Sequence, residues 1–145
     1  MNYISEDILK VSRKLGIQAS LLSPEESDAI RDKVARRFGL DKADLQTCTS
    51  SMTEYKVICN DDAWRWIGDF LRGWTAFLLV GEGALTETWR VAPGERVVEL
   101  LGETFGFVFF VTNDNADYLL CYDDHNCLIG FGSAASWIGE MKSHP

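Results

Sequence analysis

The sequence predicts an α+β fold, with N-terminal helices packed on one face of an antiparallel sheet and a C-terminal three-stranded meander. Three observations predict it. Apolar residues recur at helical spacing behind cap signals in the first third of the chain. Short apolar runs separated by Asn- and Asp-rich turns fill the last third. Helical and strand patterns are segregated along the chain instead of alternating, which separates α+β from α/β architecture. The 145 residues carry no internal repeat, linker or low-complexity stretch, so 1–145 is read as a single domain.

Ser5 can cap a first helix running through about Leu15, with Ile4, Ile8, Val11 and Leu15 as its apolar stripe and Gly16 just past its end. The second helix has the clearest start signal. "SPEE" places Ser23 at the N-cap, Pro24 at the first helical position and Glu26 three residues after the cap, a capping box. Ile30, Val34 and Phe38 line one side of it, and Gly39 ends it. Arg31, Lys33, Arg36 and Arg37 occupy the other side, a solvated face beside Asp28 and Asp32. "YKVIC" reads as a short strand, and "DDAWRWIGDFLRGW" as a third helix capped by Asp61 or Asp62. Trp64 and Trp66 are read as core packing in preference to a binding platform. "TAFLLV" and "LTETWRV" are strands joined at "GEGA", and "PGERVVELLG" is a helix of about two turns. Then follow the meander "GFVFFVT", "DYLLCY" and "CLIGFG", turning at "NDNA" and "DDHN", and a closing helix in "SAASWIGEM".

Charge is the most informative part of the composition. The formal net charge is −8. Residues 1–60 hold nine Lys/Arg and nine Asp/Glu, while residues 61–145 hold five and thirteen, so the whole excess lies in the second part. No lysine or arginine occurs between Arg96 and Lys142. Such a surface repels phosphate backbones and anionic lipid and steers cationic partners toward itself, which disfavours nucleic acid and membrane as partners. The longest apolar runs, "AFLLV" and "FVFFV", are far short of the roughly 20 residues that cross a bilayer. The start "MNYISEDILK" has acids in place of an apolar signal core, so the expected compartment is the cytoplasm.

In that compartment Cys48, Cys59, Cys121 and Cys127 are expected to be reduced and mostly buried. Their spacing lacks the close ligand pairs of a structural zinc site, and no metal or cofactor is expected. "CYDDHNCLIGFG", Cys121 to Gly132, is the densest polar stretch. A four-residue loop over Asp123–Asn126 would pair Tyr122 with Cys127 and send Cys121 and Cys127 to opposite faces. A three-residue loop would shift the register and place them opposite each other, the geometry on which a shared metal depends, while a Cys–His pair with His125 needs hydrogen-bond reach and an orienting third group. The four-residue hairpin tip is the preferred reading. Elsewhere "GEGALT" departs from a dinucleotide loop at Thr86, and no phosphate loop, metalloprotease helix or serine-hydrolase elbow is present. No catalytic residue is assigned.

With two N-terminal helices, a Trp-rich middle and the late meander "GFVFFVTNDNADYLLCYDDHNCLIGFG", the chain resembles small bacterial toxin-immunity proteins of the SMI1/KNR4-like (SUKH) type. The resemblance lies in architecture, size and charge. It lacks the Leu-Pro near the start and the Gly-Gly pair typical of that type. It implies a binding protein, not an enzyme, that neutralises a cognate toxin, a nuclease, whose basic groove an acidic surface would complement. Asp114, Asp117, Asp123, Asp124 and His125, with Glu99 and Glu103, are the partner-binding candidates, and Trp89 or Trp137 the aromatic anchors. The alternative is a small cytosolic enzyme or a ligand- or metal-binding domain built on the Cys121–Cys127 hairpin, and a regulatory or assembly module is a third class.

Overall fold

The computed structural model describes residues 1–43, 45, 54–104 and 106–143, so Cys48 lies outside the described residues. α1 (Tyr3–Leu15) starts from Asn2, not from Ser5: the Asn2 side chain accepts from the Ser5 backbone N–H at 2.8 Å. Ser5 is buried inside the helix, where its hydroxyl accepts from Trp89 Nε1 at 2.9 Å. Gly16 ends the helix at φ 67°, a left-handed conformation that glycine adopts without steric cost. β1 (Gln18–Leu21) follows, a strand with no counterpart in the sequence reading. α2 (Pro24–Phe38) has the full capping box, Ser23 and Glu26 each bonding the other's backbone.

β2 (Tyr55–Cys59) leads into α3 (Ala63–Leu71), whose Asp62 holds the cap position without a capping side-chain bond. β3 (Ala76–Val80) and β4 (Glu87–Ala92) are joined across a short 3-10 turn at Gly83–Leu85. α4 (Val97–Thr104) precedes the meander of β5 (Phe109–Thr112), β6 (Tyr118–Tyr122) and β7 (Cys127–Gly132). α5 (Ser133–Ser143) closes the fold. Among the described residues no helix is long and apolar enough to cross a membrane.

All strands join one antiparallel sheet in the order β1-β4-β3-β5-β6-β7-β2. The α+β class and the C-terminal meander are therefore as the sequence predicts. The helices, however, are spread over both faces of the sheet. Strand alternation sends Leu78, Val111, Leu120 and Leu128 to one face, where they pack with α1, α3, α4 and α5. Leu79, Phe110, Leu119 and Phe131 point to the other face and meet Val34, Ala35 and Phe38 of α2. Arg31 accordingly does not lie on a solvated face: it is buried, with Nη2 donating to the Lys42 carbonyl at 2.8 Å. Each fully buried leucine contributes roughly 1.5–3 kcal/mol. α5 can lie close on β7 only because position 130 is glycine, since a Cβ there would come within 2.7 Å of Ile138 Cδ1.

The last strand pair carries a covalent link. β2 and β7 run in register with Cys59 opposite Cys127. The next pair, Asn60 and Asn126, is hydrogen-bonded (Asn60 N–H to Asn126 O, 3.0 Å), so the cysteines occupy the closer, non-hydrogen-bonded position. Their Cα atoms are 3.9 Å apart and their sulfurs form a disulfide. The expectation of reduced cysteines thus fails for this pair, because sheet order places together two residues 68 apart in sequence.

Candidate functional site

The β6–β7 turn is tighter than the sequence reading has it. Tyr122 pairs with Leu128 and Cys121 with Ile129, leaving Asp124, His125 and Asn126 as a three-residue loop. Asn126 supplies the positive φ (60°) that such a loop requires. Asp123 decides the register: its Oδ1 accepts from the backbone N–H of both His125 and Cys127, each at 2.9 Å. Cys121 and Cys127 therefore share a face, contrary to the four-residue reading. Cys121 is buried opposite Ile129, and the Cys127 sulfur is bonded to Cys59, so this form of the hairpin offers no thiol pair.

Beside this turn lies a cleft of about 860 Å³. Six segments form it: the start of α1, the β3–β4 loop, the start of α3, Leu101 of α4, the residues entering β5, and the β6–β7 turn. Asp61, Glu82, Asp123 and Asp124 bring four carboxylates to it, and the lining contains no lysine, arginine or histidine. Tyr3, Trp64, Phe107, Phe109 and Tyr122 supply aromatic surface. Phe109 and Tyr122 stack at 5.8 Å between centroids, and the Trp64 ring already carries a guanidinium, that of Arg65, 5.0 Å from its centroid.

Short bonds fix the walls. Asn126 Nδ2 donates to Asp61 Oδ1 at 3.0 Å, and the Tyr122 hydroxyl reaches the carbonyls of Asn60 and Asp61, each at 3.2 Å. The Cys59–Cys127 disulfide lies one residue from each of Asn60 and Asn126, so it ties the α3 wall to the hairpin wall. On the far rim, Asn2 Nδ2 donates to the Leu85 carbonyl at 3.1 Å. Gly81 sits there at φ 105°, and a Cβ at that position would lie 2.7 Å from both Asn2 Nδ2 and the Leu85 carbonyl oxygen. Burial first, then the negative charges of Asp61, Asp123 and Asp62, hold the Tyr122 phenol above its ordinary pKa. The floor of the cleft thus registers the field of its rim.

Of the candidates read from sequence, Asp123 and Asp124 line this cleft. His125 neighbours them on the exposed loop, its Nε2 3.6 Å from Asp124 Oδ1. Asp114 and Asp117 belong to the β5–β6 turn at the other end of β6, where Asp117 accepts from Asn113 Nδ2 at 2.9 Å and the Asp114 carbonyl accepts from Lys33 Nζ at 2.7 Å. Glu99 is held by Arg96 through two contacts of 3.0 Å, and those hydrogen bonds lower its pKa. Glu103 is exposed on the last turn of α4, away from the cleft lining. Neither proposed aromatic anchor is free. Trp89 is 1% exposed, and Trp137 packs on the core, 5.1 Å from Phe70 between centroids.

Asp61, Glu82, Trp64 and the Phe107–Phe109 wall were not singled out as a site by sequence reasoning, because nothing local to any of them signals the others. Among the described residues no group of three or more His, Cys, Asp and Glu side chains is placed to hold a metal ion. The chain matches no protein-family model, no curated protein and no solved structure.

Proposed function

We propose that this protein is an immunity-type binding protein of the cytoplasm, which neutralises a cognate bacterial toxin, a nuclease, through its acidic surface and catalyses no reaction. The observation that carries the reading is the cleft: four acidic and five aromatic residues line it, and no lysine, arginine or histidine does. Nuclease domains present basic grooves to their substrate, and a surface of opposite sign both steers and orients such a partner. Asp123 and Asp124 line this cleft, which favours the β6–β7 end of the sheet as the interacting surface in this reading, with Asp114 and Asp117 as a separate acidic patch. In the cytoplasm, thiol systems that keep most such pairs reduced would hold Cys59 and Cys127 largely as a dithiol.

Affinity capture from the native host at low and moderate salt, with the toxin expressed, tests this reading. The expected result is a stoichiometric basic protein that is released as salt rises and whose nuclease activity falls when the purified chain is added. The double substitution Glu82→Lys/Asp124→Lys, at two exposed acids whose side chains hold no backbone of the hairpin, should weaken that complex at least several-fold, since two rim charges of about 0.2–1 kcal/mol each are lost and become repulsive. No captured partner, or a partner whose activity is untouched, would overturn the reading.

A further inference from the structure

We infer that the cleft is an arginine receptor: it takes a guanidinium side chain presented by the partner, laid against the aromatic wall with its N–H edge turned to the carboxylates. The inference deepens the binding-protein reading and rests on it for the identity of the partner, while the site itself stands on its geometry.

The carboxylates are set to receive a ligand. Asp123 and Asp61 each use Oδ1 to hold the protein's own walls, Asp123 from two backbone N–H groups and Asp61 from Asn126. Those bonds fix the direction of each carboxylate and leave its second oxygen available to a donor. Among the described residues none of Asp61, Glu82 and Asp123 forms an ion pair, and Asp124 has only the exposed His125 nearby. Some acids elsewhere do pair with a cation, Asp28 and Asp32 with Lys42, Asp69 with Arg72, Glu99 with Arg96. The cleft thus gathers acids that form no ion pair with a lysine or arginine among the described residues, with the Arg65 guanidinium over its Trp64 ring.

The aromatic wall selects the kind of cation. A guanidinium is planar and weakly hydrated, so it can stack on a ring while its edge donates to carboxylates. An ammonium is a compact, strongly hydrated charge that gains less from such a wall. Trp64 shows that geometry within this chain, with Arg65 over its ring at 5.0 Å. The volume, about 860 Å³, exceeds what one side chain fills and leaves room for the flanking backbone of a partner segment.

N-acetyl-arginine amide, titrated into the 15N-labelled full chain and followed by two-dimensional NMR, tests the site without the partner. The expected result is saturable shifts at the Trp64 indole N–H and at the amides of Gly81, Asn126 and their neighbours, with the lysine and citrulline analogues binding at least several-fold more weakly. Glu82→Gln, at a side chain that holds no wall, should weaken the arginine probe roughly two- to five-fold while leaving the rest of the spectrum in place. Equal binding of citrulline, equal binding of the lysine analogue, or shifts scattered outside the cleft would overturn the inference. If the probe binds as expected but no toxin is captured, the receptor stands and the immunity reading falls. If a toxin is captured whose affinity Glu82→Gln and Asp124→Asn leave unchanged, and the probe does not bind, the receptor falls alone.

Discussion

Tyr122 and Tyr118 sit on the same strand and face the same helical layer, and both phenols are raised above the ordinary value of about 10. For Tyr118 the cause is burial and then the charge of Asp117; for Tyr122 it is burial and then Asp61, Asp123 and Asp62. Above about pH 10 the unfolded chain releases these protons while the folded chain keeps them, so the unfolded state binds fewer protons and stability declines as pH rises. The contribution is fully present below about pH 10 and is lost toward the raised values. Absorbance titration at alkaline pH should show two late-ionising tyrosines, and urea midpoints should fall between about pH 9 and about pH 11. Asn2 gives a second prediction at this scale. It caps α1 and bonds the β3–β4 loop, so Asn2→Ala should cost about 1–2 kcal/mol in denaturant unfolding. Both Asn2 and Ser5 are good caps in sequence, and sequence favours Ser5 because two acids follow it. What local pattern cannot express is that the Ser5 hydroxyl is already taken by Trp89, 84 residues away.

Elements written by local chemistry were legible. The capping box of α2, the glycine stops after α1 and α2, and the Asn/Asp turn between β5 and β6 act within a few residues and appear where the sequence puts them, whereas the β6–β7 turn is one residue shorter than read. β1 was illegible because four residues with a mostly exposed pattern make no periodic signal, and the strand exists through its pairing with β4. The β6–β7 register turned on one side chain, Asp123, reaching back to two amides. Among the described residues β2 lies at one end of the sheet, far in sequence from β7 beside it, and the disulfide is its covalent fastening to β7. Reduction, or Cys59→Ser, should therefore lower stability by roughly 2–4 kcal/mol, read as the shift in urea midpoint with and without dithiothreitol, with β2 amides losing exchange protection first.

At the scale of the whole molecule, charge asymmetry was legible and the cleft was not. The excess of acids after residue 60 is a property of composition, whereas Asp61, Glu82 and Asp123 line one cleft because β2 lies beside β7 and the β3–β4 loop reaches the start of α1. The same excess divides between the two ends of β6, so one number, −8, conceals a lined cavity and a plain acidic turn.

The Cys59–Cys127 bond also changes what kind of object the chain is. Covalently it is a ring with two tails, and the ring encloses α3, β3, β4, α4, β5 and β6. Every segment of the cleft except the start of α1 belongs to that ring. A protease that nicks the exposed Arg72 or the β3–β4 loop opens the circle without parting it. The nicked protein stays one molecule with its cleft segments tethered, and only a reductant divides it into two pieces.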